Sequence, residues 1–176
     1  MITILGSARF SQDHVNYQKA YQISTALSQK GYAILTGSGL GVMEAASKGA
    51  ADSNGMALGC YIKSLESVNT YLHKKGGFYS FSSRQKALID QSDAIIIFPG
   101  GFGTLAELMD CLVLIQNKQK SGSLFLIDCS FWEPLIHFFR ETLLQNNKTI
   151  DAADLNSIFV TDSIEDVLTK IPSVGK

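Results

Sequence analysis

The run Pro99-Gly100-Gly101-Phe102-Gly103-Thr104-Leu105-Ala106-Glu107 places glycines, a hydroxyl and a carboxylate at the junction of a strand and a helix. Glycine backbone amides can approach a ligand closely, and a helix starting near Thr104 directs its positive dipole end at the same spot. The chemistry this suggests is anion binding, phosphate above all, beside an acid. Thr104 and Glu107 stand three residues apart, so they also fit the two ends of a capping box. A capping box does not need Gly100, Gly101 and Gly103, and those glycines favour a functional Glu107.

Arg84 is the second candidate. It falls in the first turn of a predicted helix, where a cation faces the positive end of the macrodipole and needs compensation. A solvated arginine and an arginine aimed at an anion or a base are equally open there. Two further loops carry small residues: Gly6-Ser7-Ala8-Arg9 and Gly37-Ser38-Gly39-Leu40-Gly41. The second is not a dinucleotide fingerprint, because Val42 stands where its last glycine should be. The Gly100–Gly103 run lacks the lysine of a P-loop. Ser7 and Ser38 lie outside any nucleophile elbow and read as turn donors. His14, His73 and His137 have no partners at metal-ligand spacing.

These loops must be held by strands. Strand patterns fall at Ile2 to Gly6, Tyr32 to Thr36, Met56 to Ile62, Ala94 to Phe98, Ser123 to Asp128 and Ser157 to Val160. Helical patterns fall at Asp13 to Lys30, Val42 to Ser53, Arg84 to Gln91, Thr104 to Asn117, Phe131 to Gln145 and Ile164 to Ile171. The alternation predicts a single α/β domain over residues 1–176, Rossmann-like and doubly wound, with a mostly parallel sheet covered by helices on both faces. Ser82 with Gln85, Thr104 with Glu107, Ser130 with Glu133 and Ser163 with Asp166 suggest capped helix starts. Lys63 to Tyr79 shows no periodicity and reads as a lid or substrate loop.

Fifteen basic and sixteen acidic residues leave a net charge of −1, without the basic excess a nucleic-acid partner demands. The three cysteines, Cys60, Cys111 and Cys129, sit in apolar segments and suit reduced thiols in a cytoplasmic protein. No apolar stretch approaches the ~20 residues of a membrane span. The helix from Thr104 is apolar around most of its circumference, and Phe131 to Phe139 adds further aromatic residues. Together they predict a homodimer seam.

Gly37-Ser38-Gly39-Leu40-Gly41-Val42-Met43, Arg84, and Pro-Gly-Gly-x-Gly-Thr-x-x-Glu from Pro99 to Glu107 together resemble the LOG family, which includes cytokinin riboside 5′-monophosphate phosphoribohydrolases. The spacing of Arg84 and Glu107 matches the catalytic pair of that family. The resemblance implies cleavage of the N-glycosidic bond of a purine nucleoside 5′-monophosphate, AMP or an N6-modified AMP, with Arg84 and Glu107 catalytic and no cofactor. It implies phosphate on Gly101, Gly103 and Thr104, and substrate contacts from Gly6, Ser7, Gly37, Ser38, Gly39, Met43, Glu66, Gln85 and Gly100. Relatives of this fold that bind molybdenum cofactor leave a non-catalytic carrier as the alternative. A lysine decarboxylase label, often applied to such proteins, lacks a candidate Schiff-base lysine.

The chain departs from the family at Phe81-Ser82-Ser83-Arg84-Gln85, where Met-His-x-Arg-Lys is usual. Lys86 is the nearest substitute, displaced about 100° around the helix. Exchange of Arg84 or Glu107 is expected to abolish turnover and to leave the thermal melt largely unchanged.

Overall fold

The computed structural model describes residues 1–64 and 68–171. Its strands are β1 (Ile2–Leu5), β2 (Ile34–Thr36), β3 (Ala57–Ile62), β4 (Lys74–Phe78), β5 (Ala94–Ile97), β6 (Ser123–Ile127) and β7 (Ile158–Thr161). They form one sheet in the order β4-β3-β2-β1-β5-β6-β7, and every pairing is parallel. The helices are α1 (Val15–Gln29), α2 (Val42–Asp52), α3 (Phe81–Asp90), α4 (Phe102–Gln116), α5 (Cys129–Phe138) and α6 (Ile164–Lys170). The expected Rossmann-like, doubly wound architecture is present.

The unbroken apolar run of β5 follows from burial on both faces. Ala94 and Ile96 join Ile2, Ile4 and Ile34 in the core beneath α1, α2 and α6. Ile95 and Ile97 join Leu5, Leu108, Cys111 and Trp132 in the core beneath α3, α4 and α5. Side chains alternate across the pleat, so a strand in this position has no polar face to offer.

Three expectations need correction. Part of the segment read as a loop from Lys63 to Tyr79 is β4, an edge strand whose Lys74 and Lys75 are exposed. Its sequence Lys-Lys-Gly-Gly-Phe carries no apolar alternation, and charged residues on an edge discourage pairing with another chain. Ser80, not Ser82, caps α3 by accepting the Ser83 amide, and Asp128, not Ser130, caps α5 by accepting the Phe131 amide. Helix α4 begins two residues before the expected Thr104, with Gly101 as its N-cap and no side-chain cap. Thr104 and Glu107 therefore form no capping box. At α6, Ser163 does accept the Asp166 amide.

Strand β1 sends the chain to β2 on one side, while β5 lies on its other side, so the sheet order reverses between β1 and β5. Ligands of open α/β sheets bind above the carboxyl ends of strands at such a switch point. Here the Ser7 amide donates to the Pro99 carbonyl at 3.0 Å, and the Val42 amide donates to the Ser7 carbonyl at 3.0 Å. Those two bonds draw the ends of β1 and β5 and the start of α2 around one spot.

Candidate functional site

A cavity of about 700 Å³ opens at that switch point, within the roughly 300–1,000 Å³ usual for small-molecule sites. Gly6 and Ser7 from the loop after β1, Met43 from α2 and Arg84 from α3 line it, with Gly100, Gly101, Gly103, Thr104 and Glu107 from the glycine run and α4. Gln85 lines a smaller adjoining cavity that shares Arg84, Gly103 and Glu107.

The first intrahelical bond of α4 runs from the Leu105 amide to the Gly101 carbonyl. The amides of Phe102, Gly103 and Thr104 precede it and are the orphan donors of the helix start. The glycines around them have separate reasons. A Cβ on Gly100 would lie 2.1 Å from Thr104 Oγ1, so this glycine makes room for a neighbour within the protein. A Cβ on Gly101 or Gly103 would meet nothing within 4 Å. Protein packing therefore does not require glycine at these two positions, and the space left free lies at a helix start suited to anions.

Arg84 and Glu107 converge beside this cradle. Arg84 Nη1 donates to Glu107 Oε1 at 3.0 Å, its Nε donates to the Cys60 carbonyl at 3.0 Å, and its Nη2 donates to the Gly37 carbonyl at 3.2 Å. Both residues are buried, at 6% and 8% exposure. The compensation that a cation at the start of α3 requires comes from these three acceptors. Three of the five guanidinium N–H groups are used, which fixes the plane of the fork. Gly37 serves this arrangement directly, because a Cβ there would sit 1.9 Å from Arg84 Nη2.

Ser38 and Gly39 are not among the residues lining the cavity. Ser38 is buried with φ of 70°, and a Cβ on Gly59 would fall 2.3 Å from its Oγ, which places that hydroxyl against β3. These residues shape the loop that presents the Gly37 carbonyl. The residue holding them is Asn69, whose amide donates to the Ser38 carbonyl at 2.9 Å and whose Nδ2 donates to the Ser38 and Gly39 carbonyls at 3.0 Å each. Asn69 lies in the aperiodic stretch after β3, where no sequence signal marks it. Arg9 is exposed at the cavity rim. Glu66 lies outside the described residues.

Lys86 does not replace the missing lysine. It is exposed and pairs with Asp90 Oδ2 at 2.5 Å, four residues along α3. Burial pushes the Cys60 and Cys111 thiols up, Cys111 to about 12, which makes them core groups rather than nucleophiles. Among the described residues no three His, Cys, Asp or Glu side chains gather as a metal site requires. No described helix is long and apolar enough to cross a membrane.

Comparison with known proteins places this geometry in context. The family described as "Possible lysine decarboxylase" matches residues 43–171. An uncharacterized protein of Archaeoglobus fulgidus is 28% identical over 110 residues, covering 62% of this chain and 72% of its own. The molybdenum cofactor binding protein of Rippkaea orientalis superposes with a TM-score of 0.71 at 23% identity, covering 96% of this chain and 92% of that one. The molybdenum cofactor carrier protein of Chlamydomonas reinhardtii gives 0.70 at 18% identity, covering 96% and 94%. DNA processing protein A of Streptococcus pneumoniae gives 0.65 at 14% identity, covering 97% of this chain and 61% of that one. At these identities the structural likenesses speak for the fold alone.

Proposed function

Because the chain belongs to the LOG-like family described as "Possible lysine decarboxylase", we propose that it is a phosphoribohydrolase. It splits the N-glycosidic bond of a purine nucleoside 5′-monophosphate, AMP or an N6-modified AMP, into free base and ribose 5-phosphate. The observation that carries this reading is the buried Arg84–Glu107 pair, 3.0 Å apart beside an uncapped helix start with open glycines.

The 5′-phosphate sits on the amides at the start of α4, with the Thr104 hydroxyl as a further donor. The ribose then lies over Glu107. As the bond from C1′ to the base nitrogen breaks, the electron pair leaves with the base and positive charge develops on the sugar. The Glu107 carboxylate stabilises that charge and accepts a proton from the water whose oxygen adds to C1′, and the departing base takes up a proton from solvent at the nitrogen that held C1′. Arg84 holds the carboxylate in place and turns its remaining N–H groups to the substrate. Among the described residues no lysine lines the cavity, so the decarboxylase name has no Schiff-base residue behind it there.

Helix α4 supports a homodimer. Phe102, Ala106, Met109 and Val113 recur at i, i+4, i+7 and i+11, and all four are exposed, Phe102 at 92%. Leu108, Cys111, Trp132, Ile136 and Phe139, part of the seam expected from sequence, instead fill the core of the single chain. The proposed seam is therefore the narrower outward stripe of α4.

A carrier that holds a phosphate-bearing cofactor in the same cradle is the second reading, favoured by Gln85 at the position of the family lysine. Incubation with a panel of nucleoside monophosphates, followed by chromatography for free base, separates the two. Release supports the hydrolase, whereas tight binding with no release from any of them supports the carrier.

A further inference from the structure

The three acceptors of the Arg84 guanidinium differ in how firmly each is mounted. The Cys60 carbonyl belongs to β3 and the Glu107 carboxylate to α4, both regular elements. The Gly37 carbonyl, which accepts from Nη2, belongs to the loop after β2. That loop is costly to form. Ser38 takes a left-handed φ of 70°, and its buried hydroxyl has no hydrogen-bond partner among the described residues. Features of this kind persist only where the surroundings over-determine them.

The surroundings are a buried polar network. The Ser38 amide donates to Thr36 Oγ1 at 3.2 Å, Thr36 Oγ1 lies 3.3 Å from Ser47 Oγ, and Ser47 Oγ donates to the Met43 carbonyl at 2.9 Å. The next two carbonyls, of Ser38 and Gly39, are both taken by Asn69. Asn69 Oδ1 accepts the Tyr71 amide at 3.2 Å, which leaves the carboxamide one orientation. Residues 69–72 have anchors of their own. Lys48 Nζ, on α2, lies 5.6 Å from the Tyr71 ring centroid, and a Cβ on Gly59 of β3 would fall 2.6 Å from Leu72 Cδ1.

We infer that Asn69 is a positioning residue for Arg84 and, through it, for Glu107. The Gly37 carbonyl and the Ser38 amide share one rigid peptide plane, and the Ser38 carbonyl begins the next. Asn69 locks the second plane, so the Ser38 torsions that aim the first are fixed as well. The Gly37 carbonyl then holds Nη2, and with the Cys60 carbonyl it sets the plane in which Nη1 meets Glu107. Asn69 is not one of the residues lining the cavity, so it acts through Arg84 alone. The effect on turnover rests on the hydrolase reading. The effect on Arg84 does not.

The test reads Arg84 directly. The chain has three arginines, of which Arg9 and Arg140 are exposed and Arg84 is buried. In protein grown with isotope-labelled arginine, a guanidinium locked in plane gives separate Nη1 and Nη2 resonances, and a rotating one gives an averaged signal. The parent should show one separated pair, absent in Arg84→Lys. Asn69→Ala should merge that pair and lower kcat for AMP by about tenfold to a hundredfold, the cost of a misplacement of about 1 Å. Ribose 5-phosphate affinity should stay the same, because the start of α4 is untouched. Tyr71→Leu is the control for lost stability: it should lower Tm and leave the resonances and kcat unaltered. Should Asn69→Ala fail to fold, Asn69→Ser is measured with the same expectations. A parent without a separated pair, a pair that survives in the Asn69 variant, a merged pair with unchanged kcat, or an equal effect of Tyr71→Leu overturns the inference. A parent that releases no base refutes the hydrolase reading, and the resonances then decide the positioning by themselves.

Discussion

Arg84 Nη1 reaches Glu107 Oε1 at 3.0 Å inside the protein, so the two candidate catalytic residues are each other's neutralising partner as well as neighbours of the cavity. Removing one member of a buried ion pair is destabilising, by about 3–5 kcal/mol. Arg84→Ala should therefore lower Tm by roughly 6–20 °C, taking about 2–4 °C per kcal/mol. This replaces the expectation that the melt would stay largely unchanged. Calorimetry showing an unaltered melt would mean that water reaches the pair.

Glu107→Gln keeps the shape and a hydrogen-bonding oxygen for Arg84 while removing the negative charge. Base release should fall by about 10²–10⁴-fold, the usual contribution of a positioned acid or base, with a smaller fall in Tm than Arg84→Ala. Chromatographic assay of free base against time measures it. Activity within threefold of the parent would remove Glu107 from the chemistry.

The glycines divide into two kinds, and substitution should distinguish them. Gly103→Ala meets no protein atom within 4 Å and sits in the first turn of α4. It should leave stability level or raise it by up to ~1 kcal/mol, yet weaken ribose 5-phosphate. Gly37→Ala collides with the Arg84 guanidinium and should lower both stability and turnover. If both alanines behaved alike in melting and titration, the distinction between ligand space and packing space would fail.

Cys111 offers a pH test. Burial is the first cause that pushes its thiol from the ordinary 9.0 to about 12. The folded chain therefore holds this proton more tightly than the unfolded chain. The stabilising contribution is fully present below pH 9 and is lost as pH rises towards 12. In native protein at pH 8, a thiol reagent should modify the half-buried Cys129 before Cys60 or Cys111, as read by mass spectrometry. Rapid native labelling of Cys111 would contradict its burial.

The exposed stripe of α4 predicts the assembly. Val113→Asp places a charge at the C-terminal end of the proposed seam without touching the core, and light scattering after size exclusion should show a dimer converted to monomer. A parent protein that is already monomeric at micromolar concentration would exclude the seam.

Much of the frame is legible in the sequence because it depends on local pattern. The apolar run Ala94 to Phe98 announces a strand buried on both sides, and the alternation of strand and helix requires a parallel sheet. The Gly100–Gly103 run marks a glycine-rich helix start for the same local reason. Strand β4 escaped notice because an exposed edge strand has neither an apolar face nor a periodic signal, and Asn69 escaped because its partners lie some thirty residues away.

The sequence by itself determined the fold class, the glycine-rich start of α4 and the identity of the two charged candidates. Only the tertiary structure decided what Glu107 touches. Local spacing allowed a capping box with Thr104, and the Gly101 cap removed it. Contact between Arg84 and Glu107, together with the carbonyls of Gly37 and Cys60 that hold the arginine, arises from the order in which β1, β2, β3 and β5 lie side by side. That order is set by packing both sheet faces at once, a global condition that no window of neighbouring residues contains.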